Sequence, residues 1–242
     1  MCRHYYEWVS PALGRRMELL VFGEAGARVL LFPTRKAHFY DYEGWGVVEA
    51  LRPKIEAGHL QLYCLDSLDA DSLYCPHKSP AERIRRHQQY EQYVLAEVLP
   101  LTRQLNPNMC LVAAGCSMGA YHAVNLAFRH PQLFGKVLAM SGRYDLTQAM
   151  GCFPDLFEGY VDEEVYLHTP NRFLPCLTDE FYLAHLRRLD ITLVIGEQDA
   201  FLDNNLVLSQ QLHQKGINHQ LHMWGGEAHR PTDWQRMVDL YL

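Results

Sequence analysis

A serine in a glycine-rich turn is the first group in this sequence that could do chemistry. The run Gly115-Cys116-Ser117-Met118-Gly119 has the pattern G-x-S-x-G, follows an apolar stretch and precedes a helical pattern. On a tight turn from strand to helix, the serine hydroxyl projects from the sheet edge, beside helix amides that favour negative charge. The pattern predicts that Ser117 is a nucleophile; the alternative is a packing turn with an exposed serine.

A serine hydroxyl needs a base, and the base needs a carboxylate to orient it. Three carboxylates follow the apolar segment Thr192–Ile195, namely Glu197, Asp199 and Asp203. Asp199 lies in the loop just past this segment, where an acid could reach Ser117. Asp203 is placed to cap the next helix, and Glu197 is closer to a structural position. We therefore expect Asp199 to be the orienting acid.

The base is expected in the glycine-rich loop Gly225–Pro231, whose one histidine is His229. The chain order is then Ser117, Asp199, His229. His122 follows the serine on the next helix and is typical of a packed core histidine. No metal site is predicted, because the spacing of the histidines before this loop is too irregular for one; these are His213, His219 and His222.

Eight short apolar segments predict the strands that must position these loops. They are Tyr5–Val9, Met17–Phe22, Val29–Phe32, Leu60–Leu65, Cys110–Ala114, Val137–Met140, Thr192–Ile195 and Gln220–Trp224. Glu24–Arg28 is typical of a hairpin turn between the second and third. From Val29 onward strands and helices alternate, which predicts an α/β fold with a mostly parallel sheet and helices on both faces.

Two further segments of the chain have a recognisable pattern, a capped helix and a long irregular stretch. The capping box Ser79-Pro80-Ala81-Glu82 predicts a helix that runs to about Leu99 and is closed by Pro100. Residues 147–185 are aromatic-rich and longer than one crossover requires, which predicts an insertion that is either a cap or lid over the site or helical decoration. No linker is visible, so residues 1–242 are expected to form a single domain.

Composition excludes several classes of protein. The 242 residues are 48% hydrophobic, enough for a sizeable core, and carry a net charge of −6, which argues against a nucleic-acid partner. No apolar run is long enough for a membrane span, and the N-terminus lacks a signal peptide. Seven irregularly spaced cysteines indicate a reduced, cytoplasmic protein.

These features together resemble the α/β-hydrolase fold. Within it, the sequence is similar to the esterase family that includes esterase D (S-formylglutathione hydrolase) and the mycolyltransferases. The matching pieces extend from about residue 30 to the C-terminus and are Gly115–Ala123, Phe128–Phe134, Gly196–Leu202 and Gly225–Trp234. The resemblance places nucleophile, acid and base on Ser117, Asp199 and His229. Trp234 matches a tryptophan that family members often have after the histidine, although Arg230 and Thr232 are atypical there.

The resemblance also implies an oxyanion hole. The fold uses the amide after the nucleophile, here Met118, and a second amide from the loop after the third strand, here from Thr34 or Arg35. The lipase-type His-Gly-Gly-Gly loop is absent. Arg35 and Lys36 are unusual charges for this position; they either attract an anionic substrate group or are a solvated pair.

Two further loops carry polar groups at the same edge of the predicted sheet. Arg143 and Tyr144 follow the strand Val137–Met140, which predicts that they line the pocket. The loop Asp66–Tyr74 contains three aspartates besides its serines; turn formation and capping explain them better than a metal ion does.

The sequence predicts a serine esterase that forms an acyl-enzyme with a small-molecule ester and requires no cofactor. A thioesterase or acyltransferase with the same triad is an alternative, as is a non-catalytic binding protein of this fold. The acyl and alcohol groups, and whether the chain forms a homo-oligomer, are left open.

Overall fold

An eight-stranded sheet forms the centre of the protein in a computed structural model that describes residues 1–242. Its strand order is β1-β2-β4-β3-β5-β6-β7-β8. β1 and β2 are antiparallel to their neighbours, and the strands from β3 to β8 are parallel. The strands are β1 Arg3–Ser10, β2 Arg15–Phe22, β3 Ala27–Phe32, β4 Leu60–Leu65, β5 Leu111–Cys116, β6 Lys136–Met140, β7 Asp190–Gly196 and β8 Gln220–Trp224.

Eleven α-helices flank this sheet. They are α1 Asp41–Gly44, α2 Val47–Ala50, α3 Arg52–Glu56, α4 Pro80–Tyr93, α5 Leu99–Leu105, α6 Met118–Arg129, α7 Glu163–Leu167, α8 Pro170–Cys176, α9 Glu180–Leu186, α10 Leu202–Gln214 and α11 Pro231–Tyr241. One face of the sheet packs against α1–α3 and α11, and the other against α4, α6, α8, α9 and α10. The predicted α/β-hydrolase fold, with eight strands and helices on both faces, is confirmed.

The predicted hairpin between the second and third strands is wrong. β4 lies between them: Leu19–Phe22 of β2 pair antiparallel with one edge of β4, and Ala27–Leu31 of β3 pair parallel with the other. A short glycine-containing link between two apolar runs gives the same pattern whether the strands pair directly or a third strand separates them. The hairpin is instead between β1 and β2, where the amide of Gly14 donates to the carbonyl of Ser10.

The helix after β4 begins as predicted but ends later. The Ser79 hydroxyl accepts from the Glu82 amide, while the Glu82 carboxylate accepts from the Ser79 amide, so both halves of the capping box are present. A π-helical turn at Val94–Val98 then connects α4 to α5. Pro100 therefore sits in the first turn of α5, where a missing amide hydrogen is tolerated, and the helical path continues to Leu105.

Residues 147–185 divide their contacts between the core and the region above the β5–α6 turn. Leu156, Phe157 and Val165 pack with Met118 and Tyr121 in a small apolar cluster. The later residues Phe173, Leu174 and Leu183 belong to the largest core cluster. This segment is thus anchored in the protein at both of its halves.

Two further sequence expectations concern membranes and thiols. No helix has both the length and the apolar composition that crossing a membrane would require. All seven cysteines are unpaired. Cys64 is buried in β4. Cys110, predicted as the first residue of a strand, precedes β5 and is exposed.

Candidate functional site

The turn between β5 and α6 presents Ser117 in a strained backbone conformation. Its φ is +55° and ψ is −118°, values that a non-glycine residue rarely adopts. The Ser117 amide donates to the carbonyl of Met140 at 2.8 Å, which fixes the turn to β6. Met118 is the first residue of α6, and amides in the first turn of a helix have no acceptor within the helix.

Two glycines allow this turn to be so tight. A Cβ at Gly115 would lie 2.3 Å from the backbone of Gly119, and a Cβ at Gly119 would lie 2.0 Å from the carbonyl oxygen of Phe32. The helix therefore approaches both β5 and the end of β3 more closely than any side chain permits. This brings Ser117 next to the loop that follows β3.

Asp199 lies in the loop after β7 and is almost completely buried, with a side chain 2% exposed. Its Oδ1 accepts from the Phe201 amide at 2.9 Å, and its Oδ2 lies 2.7 Å from Nδ1 of His229. Of the three competing carboxylates, Asp199 is the one that contacts the histidine. Asp203 lies in the first turn of α10 and is not its N-cap, which is Phe201.

His229 is held from several sides while part of its ring stays accessible. Its ring packs edge-on against Phe201 and Trp234, at centroid distances of 5.8 and 5.6 Å. The preceding Ala228 has φ +49°, and its carbonyl accepts from Ser141 Oγ at 3.0 Å. Because Nδ1 donates to Asp199, Nε2 is the ring nitrogen left with a lone pair, and the side chain is 25% exposed.

Ser117 and His229 open into one cavity of about 320 Å³. The other residues that line it come from the loops after β3, β4, β6 and β7, from the insertion and from helices α6 and α11; they are Thr34, Arg35, Tyr74, Met118, Arg143, Phe153, Phe201 and Trp234. Every loop that lines it follows the carboxyl end of a strand or belongs to the insertion. The cavity therefore contains the predicted nucleophile and base together with the two candidate sources of the second oxyanion amide.

Two residues predicted to bind substrate do not line this cavity. Tyr144 is fully buried in the large core cluster, and its amide instead hydrogen-bonds Asn204. Lys36 is exposed, and its ammonium lies 5.8 Å from the centre of the Tyr74 ring. Its amide donates to Asp69 Oδ2 at 3.3 Å, so this amide already has an acceptor.

Tyr74 and Phe201 are lining residues that the sequence analysis missed. Burial raises the pKa of Tyr74 to about 12, reinforced by Asp69 and opposed by Arg143 and Arg35. Its hydroxyl therefore stays protonated at neutral pH. Phe201 lies two residues after Asp199, and this closeness to the predicted acid is the sequence signal that indicates a lining residue.

Arg143 is a buried guanidinium bound by backbone carbonyls. It is 3% exposed, and it donates to the carbonyl oxygens of Asp145, Gln148 and Pro154 at 3.2, 2.6 and 2.8 Å. Burial lowers the pKa of Arg143, while Tyr74 and Asp145 oppose that effect; an arginine with this shift still stays charged. Its Nη1 has no hydrogen-bond partner in the protein.

Each aspartate in the loop after β4 contacts a basic group. Asp66 lies 3.3 Å from His38, and Asp69 lies 3.0 Å from His122. Asp71 binds both Lys78 and Arg86. These contacts favour the structural interpretation of the cluster. His122 is 4% exposed, as expected for a packed core histidine.

Comparisons with known proteins address the family and the fold. The family profile described as "Putative esterase" matches residues 66–238, and a search of curated proteins found no match. An S-formylglutathione hydrolase from Agrobacterium tumefaciens has a similar structure, with a TM-score of 0.76 at 17% identity over 99% of this chain and 92% of that one. A ferulic acid esterase gives 0.75 at 18% identity, covering 100% and 96%. MPT51 from Mycobacterium tuberculosis gives 0.73 at 16%, covering 99% and 96%.

Proposed function

The chain belongs to this esterase family and is an enzyme that hydrolyses carboxylic esters, and on that premise we propose that Ser117, His229 and Asp199 are its catalytic triad. Ser117 is the nucleophile, His229 the general base and Asp199 the carboxylate that orients the imidazole. The observation that carries the proposal is the 2.7 Å contact between Asp199 and His229, made at a cavity that also exposes Ser117.

The first half of the reaction transfers the acyl group to the enzyme. Nε2 of His229 accepts the hydroxyl proton of Ser117 while Oγ forms a bond to the ester carbonyl carbon. The carbonyl oxygen becomes an oxyanion, stabilised by the amide of Met118 and by a second amide from Thr34 or Arg35. The imidazolium then gives its proton to the alcohol oxygen as the bond from carbon to that oxygen breaks.

The second half releases the acid. His229 removes a proton from a water molecule, whose oxygen attacks the acyl carbon. As the oxyanion collapses and the bond from carbon to Oγ breaks, the imidazolium returns this proton to Oγ of Ser117. Thioesters can follow the same steps with a thiolate leaving group, and an alcohol in place of water gives acyl transfer. The proposed reaction is hydrolysis of an oxygen ester.

Labelling with a fluorophosphonate, followed by peptide mass spectrometry, tests the triad. We expect one adduct per chain, on the peptide that contains Ser117, and no adduct in Ser117→Ala. His229→Ala should label far more slowly, since the base is missing, whereas His213→Ala, an exposed histidine on α10, should label like the wild type. Circular dichroism of each variant checks that the fold is intact.

Two results would contradict the proposal. Full labelling of Ser117→Ala would place the nucleophile elsewhere. A folded wild-type protein that is neither labelled nor active on simple phenyl esters would favour the non-catalytic binding protein of the same fold.

A further inference from the structure

The cavity has a charge opposite to that of the protein as a whole. The chain carries 28 acidic and 22 basic side chains besides its histidines, for a net charge of −6. Two arginines, Arg35 and Arg143, nevertheless line the cavity, and no carboxylate is among its lining residues. Asp199 is near, but it lies behind His229 and is bound to that ring. An anionic group entering the cavity therefore meets positive charge on its walls.

Arg143 keeps its charge in a buried position without an ion pair. Its partners are neutral carbonyl oxygens, and Nη1 has none at all. Two carboxylates are close in sequence, but both are engaged elsewhere: Asp145 accepts from Thr147 and Arg172, and Asp155 accepts from the amides of Phe157 and Gly159. A buried charge that lacks a counter-ion is costly, and a bound anion would offset that cost.

Arg35 contributes a second charge that has no acidic partner. It takes part in no salt bridge, and its guanidinium lies 5.7 Å from the ring centre of Tyr74. A cation–π contact leaves the charge of the guanidinium intact. Burial and Asp69 raise the pKa of Tyr74, so that its hydroxyl stays protonated, whereas Arg143 and Arg35 both act to lower that pKa. The wall formed by Arg35, Tyr74 and Arg143 is thus cationic and rich in hydrogen-bond donors.

Three of the other lining residues are aromatic, namely Phe153, Phe201 and Trp234. Phe153 and Phe201 pack with ring centres 4.6 Å apart, and Trp234 packs against His229. These rings offer apolar surface and no charge. A ligand that matches both the arginines and these rings has a hydrophobic body and an anionic end.

We propose that the substrate is an ester that carries a carboxylate, and that Arg35 and Arg143 bind this carboxylate while the ester carbonyl lies at Ser117. Guanidinium groups match the planar shape of a carboxylate and donate paired hydrogen bonds to it. The inference rests on the proposed function, because it assigns the substrate of that same site. A cavity of about 320 Å³ has room for a small ester.

Matched pairs of rigid esters test this inference. One pair carries the charge on the acyl side: the mono-4-nitrophenyl ester of terephthalic acid and its neutral partner, 4-nitrophenyl 4-carbamoylbenzoate. The other carries it on the alcohol side: 4-acetoxybenzoate and 4-acetoxybenzamide. The para position keeps the carboxylate from attacking its own ester. We expect kcat/KM to favour the anion in at least one pair by about tenfold or more, the size of one charged hydrogen bond.

Variants connect the preference to the arginines. Arg35→Gln and Arg143→Lys should each lower kcat/KM for the preferred anion by about tenfold, mostly through KM, and leave its neutral partner nearly unchanged. Arg188→Gln removes the same charge from an exposed site outside the cavity and should change neither substrate. Because Arg35 is exposed, its variant should fold even if an Arg143 variant does not.

The possible failures are distinguishable. Equal kcat/KM within both pairs, or a preference that survives Arg35→Gln unchanged, would overturn the inference while the esterase mechanism stands. If Arg188→Gln lost the preference to the same extent, the preference would come from the net charge of the whole protein and not from the cavity. That result would also overturn the inference. Failure to hydrolyse all four esters, combined with no fluorophosphonate adduct, would remove the proposed function and the inference with it.

Discussion

Two histidine–aspartate pairs in this chain differ mainly in what surrounds the imidazole. His229 and Asp199 are 2.7 Å apart, and the histidine side chain is 25% exposed at the cavity. His122 and Asp69 are 3.0 Å apart, and the histidine is 4% exposed. Both carboxylates are buried, so both rings are oriented by a short hydrogen bond. Of the two histidines, His229 is the one that lines the cavity with Ser117, and we therefore infer that access, and not the pair itself, separates a base from a structural contact.

The buried pair joins α6 to two loops. Nε2 of His122 binds Asp69 Oδ1, and Asp69 Oδ2 accepts from the amide of Lys36, in the loop that carries Thr34 and Arg35. Aromatic and imidazole rings surround His122 within 6.1 Å; they belong to Phe32, His87, Tyr90 and Tyr121. The pair therefore acts through packing and through the position of the loop after β3.

Replacing each aspartate with asparagine should separate the two roles most strongly. Asp199→Asn leaves the shape but no longer holds His229 in the tautomer that can accept a proton, so we expect kcat to fall by about 10⁴-fold. Asp69→Asn should lower kcat by less than about tenfold, because it keeps an acceptor for Lys36. Initial rates with a neutral phenyl ester measure both. Similar losses in the two variants would mean that the buried pair takes part in the chemistry.

The His229 pair is expected to matter more for kcat, but the His122 pair should matter more for stability when each histidine is removed. His122→Ala leaves the Asp69 carboxylate buried without its partner, and we expect the free energy of unfolding to fall by about 3–5 kcal/mol. His229→Ala leaves its aspartate beside a water-accessible cavity and should cost about 1–2 kcal/mol. Urea unfolding followed by tryptophan fluorescence gives both values. Equal costs would show that burial does not distinguish the pairs.

The buried cluster around His122 also predicts a pH dependence of stability. Burial lowers the pKa of His87 well below its usual value, and the neighbouring His168, His122 and Arg129 add to that effect while Glu91 opposes it. The unfolded chain takes up a proton near pH 6.5 that the folded protein does not. Stability is therefore full above about pH 6.5 and falls below it by up to about 1.4 kcal/mol per pH unit.

The variant His87→Gln tests that assignment. Unfolding free energies between pH 7.5 and 5.5 should decline less steeply than in the wild type. His77→Gln, which removes an exposed histidine from the loop before α4, is the matched control and should keep the wild-type slope. A slope that His87→Gln does not change would assign the proton uptake to another group.

Sequence patterns predicted the frame of this protein because its strands are apolar runs bounded by turn residues. They also predicted that Ser117, Asp199 and His229 follow strand ends, and parallel strands bring such ends to one edge. Pairing order is less accessible: nothing in Glu24–Arg28 shows that β4 separates β2 from β3. Side-chain direction is equally hidden, since Arg143 and Tyr144 are consecutive, yet one lines the cavity and the other enters the core.

The role of His122 could be predicted only in part. Its position on an apolar helix indicated a core histidine, but its partner Asp69 lies 53 residues earlier, in a loop interpreted as turn-forming. Contacts over such separations depend on the packed structure and not on local pattern. The same holds for Tyr74, which reaches the cavity from that loop.

The smallest expected effect concerns a support that His229 has and His122 lacks. Ser141 Oγ donates to the carbonyl of Ala228 at 3.0 Å and accepts from Nε1 of Trp234 at 3.4 Å, so it connects the histidine loop to the end of β6. Ser141→Ala should cost about 1 kcal/mol of stability and lower kcat a few-fold, because the loop can then shift His229 relative to Ser117. Ser209→Ala removes a serine–histidine contact on α10 and should leave kcat unchanged. Equal kcat in both variants would mean that Asp199, Phe201 and Trp234 position the ring without help from β6.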